Sequence, residues 1–336
     1  MVLVLRADEI QGLLSMDDAI GVIDAVVREE AAGTTVHMAA FGGQNARPRG
    51  LPPALGRGAG GASGGVVRMV GGGAYGMKRV GVRARGVVLL FDTDGNRLLS
   101  MLGASASSLR IGATMGLASR LLSRPDARSI GLLGSGRNAL PTLQGLFATR
   151  PIERVNVYSP NAEHRAEFAR RASEMLGVRV SAVDSVAAAT DGVDIIGLAT
   201  VATAPAIEAE HIRAGVHITS MGEPHEIGET AFLRADQIVS SSWYQELQAI
   251  NPSGQRISQR QGLAAPPLWE VLADGRVKKE DLIELGSIVN GDVKPRNGPG
   301  DVTIFREAQG GVGDIALANL AYERAKALGR GVEVDI

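Results

Sequence analysis

The chain contains no cysteine, and this absence removes several kinds of chemistry from consideration. Without thiols there is no disulfide, no thiolate nucleophile and no cysteine-based zinc or iron–sulfur centre. An excess of charge of one sign is also missing, because 35 basic residues nearly balance 36 acidic ones. A chain with this balance has no electrostatic footprint for nucleic acid or an anionic membrane, so we expect neither partner.

Long hydrophobic runs are absent from the start of the chain. The N-terminal apolar run covers five residues before Arg6, which is too short for a signal-peptide core or a membrane span. The five histidines have no metal-ligand spacing, and residues 225–229 lack the second histidine of an H-E-x-x-H site, so no metal is expected. The serines at 240–242 lack the G-x-S-x-G elbow of serine hydrolases. We therefore expect a soluble, cytoplasmic protein, and 336 residues suffice for two domains.

A glycine-rich turn at residues 134–139 is the most informative motif of the sequence. It follows a short apolar run, fits the pattern Gly-x-Gly-x-x-Ala, and opens into a helical pattern. Gly134 permits the tight turn, Gly136 lets the backbone approach a pyrophosphate, and Ala139 lets the helix pack closely. The helix N-terminus then offers N–H groups and a positive dipole end to the phosphates. The predicted cofactor contacts in this turn are Gly134, Ser135, Gly136, Arg137 and Asn138.

The pattern after Pro125 alternates between strands and helices. Strands are predicted near 129–134, 154–158, 178–183, 193–199, 216–221 and 237–241. Helices are predicted near 137–149, 161–176, 185–190 and 207–213. This alternation predicts an α/β fold with a doubly wound, parallel Rossmann sheet. Because the chain has 44 glycines, a Gly-x-Gly match can arise by chance, and the strand before the turn and the helix after it give the motif its significance.

The end of the second predicted strand bears on the choice between NAD and NADP. An acid that reads the ribose normally lies there, whereas this chain has Ser159, Pro160 and Asn161. Ser159, Asn161 and the nearby His164 and Arg165 could accommodate a 2′-phosphate, which favours NADP slightly. Alternatively, Asn161 only caps the next helix and Arg165 is a solvated helix residue.

The first third of the chain carries candidate cationic anchors. Residues 42–76 contain 13 glycines in 35 positions and show no helical periodicity, which predicts either a surface loop or a loop bordering a substrate pocket. Arg49 lies in this segment, Lys78 starts a predicted strand, and Arg110 is out of place in a helix of small residues near 107–123. Each either binds a substrate carboxylate or has a structural role, as a solvated charge or an ion pair. Asp314, at the start of a predicted amphipathic helix that ends near residue 328, is by default a first-turn acid.

Several separated segments together resemble the ornithine cyclodeaminase/μ-crystallin family. They occur in the family's order and span nearly the whole chain: residues 47–49, 75–78, 89–95, 108–113, 133–136, 157–160, 284–286 and 303–305.

This resemblance implies a Rossmann domain of residues 120–305 inserted into a second α+β domain of residues 1–119 plus 306–336. The second domain would serve substrate binding and dimerisation, so a homodimer is expected. Lys78 and Arg110 would be active-site residues, and Arg49 would help bind the substrate. The residues bordering the nicotinamide would be Ala199, Thr200, Val201, Met221 and Gly222.

Three departures from the family pattern shape the functional prediction. Ile111 replaces a threonine, Arg306 and Glu307 replace a Lys-Ser pair, and residues 222–230 lack the aspartate that assists deamination in cyclodeaminases. Glu223 or Glu226 could substitute for that acid. The leading prediction is an NAD(P)H-dependent reductase that converts an α-imino acid to an L-amino acid, or its reverse. The alternatives are a cyclodeaminase with bound NAD and a non-catalytic NADPH-binding protein of the crystallin kind.

Overall fold

The computed structural model of the chain divides into two units, each with its own β-sheet. The structure describes residues 1–41, 61–69, 72–80, 86–92, 97–103, 106–243, 246, 266–308 and 311–335. Unit 1 comprises Met1–Arg110 with Gln309–Ile336, and unit 2 comprises the intervening Ile111–Ala308. The roles assigned to the two domains from the sequence stay predictions.

The described residues contain fifteen strands and ten α-helices. The strands are β1 (Val2–Leu5), β2 (Val36–Phe41), β3 (Gly61–Met69), β4 (Gly72–Val80), β5 (Val87–Asp92), β6 (Leu98–Gly103), β7 (Ser129–Leu133), β8 (Arg154–Tyr158), β9 (Arg179–Ala182), β10 (Ile195–Leu198), β11 (His217–Ser220), β12 (Gln237–Ser240), β13 (Leu282–Glu284), β14 (Thr303–Arg306) and β15 (Val332–Val334). The helices are α1 (Ala7–Gln11), α2 (Met16–Ala31), α3 (Ala106–Leu122), α4 (Ala139–Phe147), α5 (Ala162–Leu176), α6 (Val186–Thr190), α7 (Glu229–Phe232), α8 (Pro267–Ala273), α9 (Leu285–Val289) and α10 (Val312–Ala327).

Unit 1 contains a seven-stranded sheet in the order β15-β1-β6-β5-β4-β3-β2. Strands β2 to β6 form an antiparallel meander, β1 is parallel to β6, and β15 is antiparallel to β1. The glycine-rich segment predicted as a loop enters this sheet from Gly61 onward as β3 and β4. Loop was therefore the wrong prediction for these residues. Glycine removes the side-chain alternation by which a strand is recognised, yet it leaves every backbone group able to pair. Positions 42–60 lie outside the described residues.

The C-terminal helix of unit 1 differs from its predicted character. Helix α10 packs against α2 and against β3, β4 and β5, and its first eight residues, 312–319, are all buried. An amphipathic helix would leave one face exposed, so that prediction was wrong for the first half of α10. The exposed face begins in the second half of α10, where Arg324 donates to Asp18 of α2 at 2.6 and 2.5 Å.

Unit 2 contains an eight-stranded sheet in the order β13-β12-β14-β11-β10-β7-β8-β9. Every pair of neighbours is parallel. The chain winds outward from β7 through β8 to β9 and then returns to β10 on the other side, so the strand order reverses between β7 and β10. This confirms the predicted doubly wound parallel sheet, and it places the usual ligand crevice of such folds at the carboxyl ends of these strands.

Two hydrophobic clusters of unit 2 receive alternate residues of the central strands. In β10, Ile195 belongs to one cluster and Ile196 to the other. Because successive side chains of a strand point to opposite faces, both faces of the sheet are covered by helices and loops. Strands buried on both faces are continuously apolar, which explains why β7 and β10 are buried at every position.

Helix α4, which follows the glycine turn, packs closely on α3. A Cβ at Gly145 would overlap the carbonyl oxygen of Gly112, and one at Gly116 would lie 2.6 Å from the carbonyl oxygen of Gly145. The helix backbones therefore approach to a distance that only glycine allows at these positions. This contact fixes the direction in which α4 leaves the turn.

Candidate active site

The glycine turn forms the loop between β7 and α4. Gly134 has φ +111°, which favours glycine, and a Cβ there would overlap the carbonyl oxygen of Ala199. Its N–H donates to the carbonyl of Tyr158 at 2.8 Å. Because of these contacts the ends of β7, β8 and β10 converge at Gly134.

The next residues of the turn leave backbone accessible to a ligand. A Cβ on exposed Gly136 would meet no atom within 4 Å, so the space in front of this residue is open. Helix α4 begins at Ala139 with Asn138 at its N-cap, and the Asn138 side chain makes no capping hydrogen bond. In the first turn of α4 the N–H of Ala139 donates to the carbonyl of Gly136 at 3.1 Å and Pro141 has no N–H, so Leu140 supplies the N–H group that can bind an anion. These features fit the pyrophosphate of a dinucleotide.

Hydrogen bonds tie the turn to its neighbours on both sides. The hydroxyls of Ser135 and Ser159 lie 2.8 Å apart, joining the turn to the end of β8. On the other side, Asn138 Nδ2 donates to the sulfur of Met221 at 3.3 Å, just after β11. Arg137 is exposed at the tip of the turn. Ser135, Asn138, Ser159 and Met221, predicted separately from the sequence, thus lie along one edge of the sheet.

Asn161 and Arg165 have structural partners beyond the end of β8. Asn161 caps α5, accepting from the N–H of His164 at 2.9 Å. Arg165 is not the solvated helix residue that was one alternative, since its side chain is only 11% exposed. Its Nη1 donates to the carbonyl of Ser159 at 2.8 Å, its Nη2 pairs with Asp184, and its guanidinium lies 5.6 Å from the centre of the Tyr158 ring.

The residues predicted to border the nicotinamide follow β10 and β11. Ala199 and Thr200 continue β10, and the N–H of Met221 donates to the carbonyl of Leu198 at 3.2 Å. Gly222 has φ +90°, and a Cβ there would overlap the carbonyl oxygen of Glu307. Gly222 therefore allows the chain after β11 to turn tightly against the end of β14.

Glu226 is a fully buried carboxyl group behind this edge. It accepts hydrogen bonds from Ser220 Oγ and, at 3.3 Å, from Thr200 Oγ1. Each hydroxyl also accepts from a backbone N–H at 3.0 Å, Thr200 from Ala202 and Ser220 from Gly222. Glu226 thereby connects the segments that follow β10 and β11.

Burial raises the pKa of Glu226 to about 8, because the charged carboxylate loses its hydration. The hydrogen bond from Ser220, the positive charge of Arg306 and the hydrogen bond from Thr200 oppose this rise, and the charge of Glu223 adds to it. Glu226 is therefore mostly protonated at neutral pH. No local sequence pattern indicates this state, because it depends on contacts among three separate segments.

Arg306 explains one departure from the family pattern. Its side chain is 1% exposed and donates to Glu246 through Nε at 3.0 Å and Nη2 at 2.6 Å. It also donates to the carbonyls of Gly222 at 3.3 Å and Glu223 at 3.4 Å. Arg306 therefore holds the segment after β11 in place, and its burial is tolerated because Glu246 pairs the charge.

The cationic anchors predicted from the sequence belong to unit 1. Lys78 lies near the end of β4, not at a strand start as predicted, opposite Ser63 of β3 and Val88 of β5. Arg110 is buried in α3, and its Nε lies 3.6 Å from Oδ2 of Asp314, the first-turn acid of α10. The ion-pair alternative is thus observed for Arg110. Arg49 lies outside the described residues.

The described residues contain no cluster of three or more histidine or acidic side chains placed to hold a metal ion. Among their helices, none is both long and apolar enough to cross a membrane.

The reversed parallel strand order and the glycine turn define a dinucleotide-binding α/β protein. The family model for the ornithine cyclodeaminase/mu-crystallin family matches residues 2–329, and the chain belongs to this family. The resemblance drawn from the sequence motifs is thereby confirmed.

Relatives within the family include named reductases. A Delta(1)-pyrroline-2-carboxylate reductase of Bacillus cereus is 28% identical over 265 residues, which are 77% of this chain and 77% of the relative. An iminosuccinate reductase of Paracoccus denitrificans is 26% identical over 259 residues, 76% of this chain and 75% of the relative. These names agree with the predicted NAD(P)-dependent oxidoreductase.

A solved structure shares the complete fold. The Delta(1)-pyrroline-2-carboxylate reductase of Thermococcus litoralis, in complex with NADH and L-proline, has a TM-score of 0.83 and 22% sequence identity. The match covers 99% of this chain and 100% of that chain. Both units therefore have counterparts in one known protein fold.

Proposed function

We propose that this protein is an NAD(P)H-dependent reductase that converts an α-imino acid to an L-amino acid, or catalyses the reverse oxidation. The observation that carries the proposal is the glycine turn at the strand-order reversal, where the open backbone at Gly136 and the N–H of Leu140 in the first turn of α4 fit a pyrophosphate. The reductase names of the curated relatives support the choice of reaction.

Unit 2 would bind the cofactor along the carboxyl edge of its sheet. Residues 134–138 would hold the pyrophosphate, Ser159 would face the adenosine ribose, and Ala199, Thr200, Met221 and Gly222 would border the nicotinamide. When bound, the reduced nicotinamide supplies a hydride to the imine carbon. The buried Glu226 would keep the Thr200 and Gly222 segments in register, so the nicotinamide would meet a preformed surface.

Unit 1 would supply the cationic groups for the substrate. In this proposal Arg110 binds the substrate carboxylate, helped by Arg49, because a guanidinium offers paired N–H donors to two carboxylate oxygens. Asp314 contacts Arg110 through Nε and would orient the guanidinium. Lys78 would help bind the carboxylate or donate a proton to the imine nitrogen, since a protonated C=N is the better hydride acceptor.

The cofactor is a nicotinamide dinucleotide, and we propose a small preference for NADP. The support is the absence of an acid directly after β8, where a carboxylate would repel a 2′-phosphate, and the nearby guanidinium of Arg165. We further propose that the protein works in the cytoplasm as a homodimer that forms through unit 1.

The proposal is tested with the purified full-length protein, NADH or NADPH, and a panel of cyclic and acyclic imino acids. The panel includes Delta(1)-pyrroline-2-carboxylate and iminosuccinate, the compounds in the names of the two relatives. We expect oxidation of the reduced cofactor with at least one imine and formation of the L-amino acid. Absence of turnover with every imine and both cofactors would refute the proposal.

A variant at Lys78 separates the alternatives. Lys78→Ala should lower kcat by about a hundredfold or more while cofactor affinity stays nearly unchanged. Lys279→Ala, at an exposed lysine of unit 2, is the control and should behave as the wild type.

Ammonia release from ornithine without net change in nicotinamide would favour a cyclodeaminase. Tight NADPH binding without turnover, insensitive to Lys78→Ala, would favour a crystallin-like binding protein.

A further inference from the structure

Arg165 and Asp184 form an ion pair beside the proposed ribose site, at the ends of two neighbouring strands. Arg165 belongs to α5, which follows β8, and Asp184 lies between β9 and α6. The two side chains differ sharply in exposure, 11% for Arg165 and 96% for Asp184. The arginine is therefore a fixed part of the unit, and the carboxylate is its solvent-facing partner.

The position of Arg165 relative to the glycine turn makes this pair relevant to the cofactor. Arg165 donates to the carbonyl of Ser159, whose hydroxyl lies 2.8 Å from that of Ser135 in the turn. In doubly wound folds the adenosine ribose is read at the end of the second strand, which is β8 here. A 2′-phosphate on that ribose would approach the guanidinium that Asp184 already contacts.

We propose that Asp184 is a specificity-determining residue that limits the preference for NADPH over NADH. A phosphate monoester and a carboxylate bind the same N–H donors of a guanidinium, so the Asp184 carboxylate competes with the 2′-phosphate for Arg165. Asp184 also adds a negative charge close to the phosphate dianion. NADH has no phosphate at this position and is nearly unaffected. This inference rests on the proposed function of unit 2 as the cofactor-binding unit.

The carboxylate of Asp184 can be removed without disturbing its neighbours. Ser185 caps α6 by accepting from the N–H of Ala188 at 3.0 Å, and Val183 is held by its N–H bond to the carbonyl of Val157 at 3.0 Å. Neither contact uses the Asp184 side chain. Ion pairs with a strongly exposed partner contribute little to folding, so Asp184→Asn should fold normally.

The test measures the dissociation constants of NADH and NADPH for the full-length wild type and for Asp184→Asn. We expect the variant to bind NADPH about tenfold more tightly and NADH within about twofold of the wild type, because one unit charge near the phosphate is removed. The gain for NADPH should shrink at high salt. Arg165→Lys keeps the positive charge and loses the paired N–H donors of the guanidinium. In that background Asp184→Asn should increase the affinity for NADPH by a smaller factor.

Asp191→Asn provides the matched control. Asp191 is also an exposed partner of an arginine, Arg213, in the same unit, but it lies before β10, at the amino end of that strand. This variant should leave both affinities unchanged.

Three outcomes would overturn the inference. An equal change for both cofactors would indicate a general structural effect, and weaker NADH binding by Asp184→Asn would show that Asp184 instead binds the ribose of NADH. Failure of the wild type to bind either cofactor would refute the proposed function and the inference together. Selective tightening of NADPH without turnover of any imine would leave the inference standing and refute only the proposed reaction.

Discussion

Replacement of Glu226 by glutamine should make the protein more stable at neutral and alkaline pH. Glutamine has nearly the same shape, and its amide oxygen can accept from Ser220. Its amide nitrogen can donate to Thr200 Oγ1, which reverses the direction of that hydrogen bond and preserves the contact. The substitution therefore keeps both contacts and removes the ionisable group. What changes is the free energy required to keep a carboxyl group buried as the pH rises.

The magnitude follows from the difference in pKa between the two states. Glu226 has a pKa of about 8 in the folded protein and an ordinary value of 4.5 when unfolded. Below about pH 4.5 both states are protonated and the group leaves stability unaffected. Between these values only the unfolded state loses the proton, so the free energy of unfolding falls by about 1.4 kcal/mol per pH unit as the pH rises. The loss is about 3 kcal/mol at pH 7 and reaches about 5 kcal/mol above pH 8.

Urea unfolding followed by circular dichroism, from about pH 5 to about pH 8.5, measures this effect. The free energy of unfolding of Glu226→Gln minus that of the wild type should increase steadily with pH and level off above about pH 8. Glu229→Gln, which removes a half-buried partner of Arg276 three residues along the chain, should remain parallel to the wild type. A difference for Glu226→Gln that does not change with pH would refute the assignment of a buried, protonated carboxyl group.

The remaining predictions concern stability at acid pH, the close contact between α3 and α4, and the glycine turn. Burial lowers the pKa of His217 from 6.5 to about 3, so stability should fall by about 1.4 kcal/mol per pH unit as the pH drops below 6.5. His217→Gln should remove this fall in the free energy of unfolding, which urea titrations at a series of acid pH values measure. Gly145→Ala should destabilise unit 2 by several kcal/mol, about 3 or more, because its Cβ overlaps the carbonyl of Gly112; a thermal midpoint equal to the wild type would contradict the close helix contact. Gly134→Ala should weaken cofactor binding about a hundredfold or abolish it, measured by titration, since both the positive φ and the space require glycine.

The parallel sheet was predictable because its strands and helices carry strong local patterns. The predicted strand at 154–158 agrees with β8 at every residue, and the predicted helix at 161–176 differs from α5 by one residue. Strands without such a pattern were missed. β14 has only four residues and follows an irregular segment, yet it lies between β11 and β12 inside the sheet. Its position depends on pairing with distant strands of the sheet, and the local sequence does not reveal such pairing.

The candidate site was predictable where backbone geometry demands a particular residue. Gly134 and Gly222 both have positive φ and no room for a Cβ, so their identity reflects a local requirement. The electrostatics could not be predicted in the same way. Arg306 lies 60 positions from its partner Glu246, and neither residue carries a sign that both are buried.

Arg165 shows why a charged residue near a motif does not by itself define cofactor choice. Its position soon after β8 in the sequence suggests that it binds a phosphate, and its hydrogen bond to the carbonyl of Ser159 is compatible with that role. The charge available to a ligand, however, is that of the arginine together with Asp184, which arrives from the next strand. A side chain that already has an anionic partner offers a phosphate only the free energy left after that partner is displaced. We therefore expect cofactor preference in this protein to be a property of the pair, adjustable through its exposed member without changing the buried one.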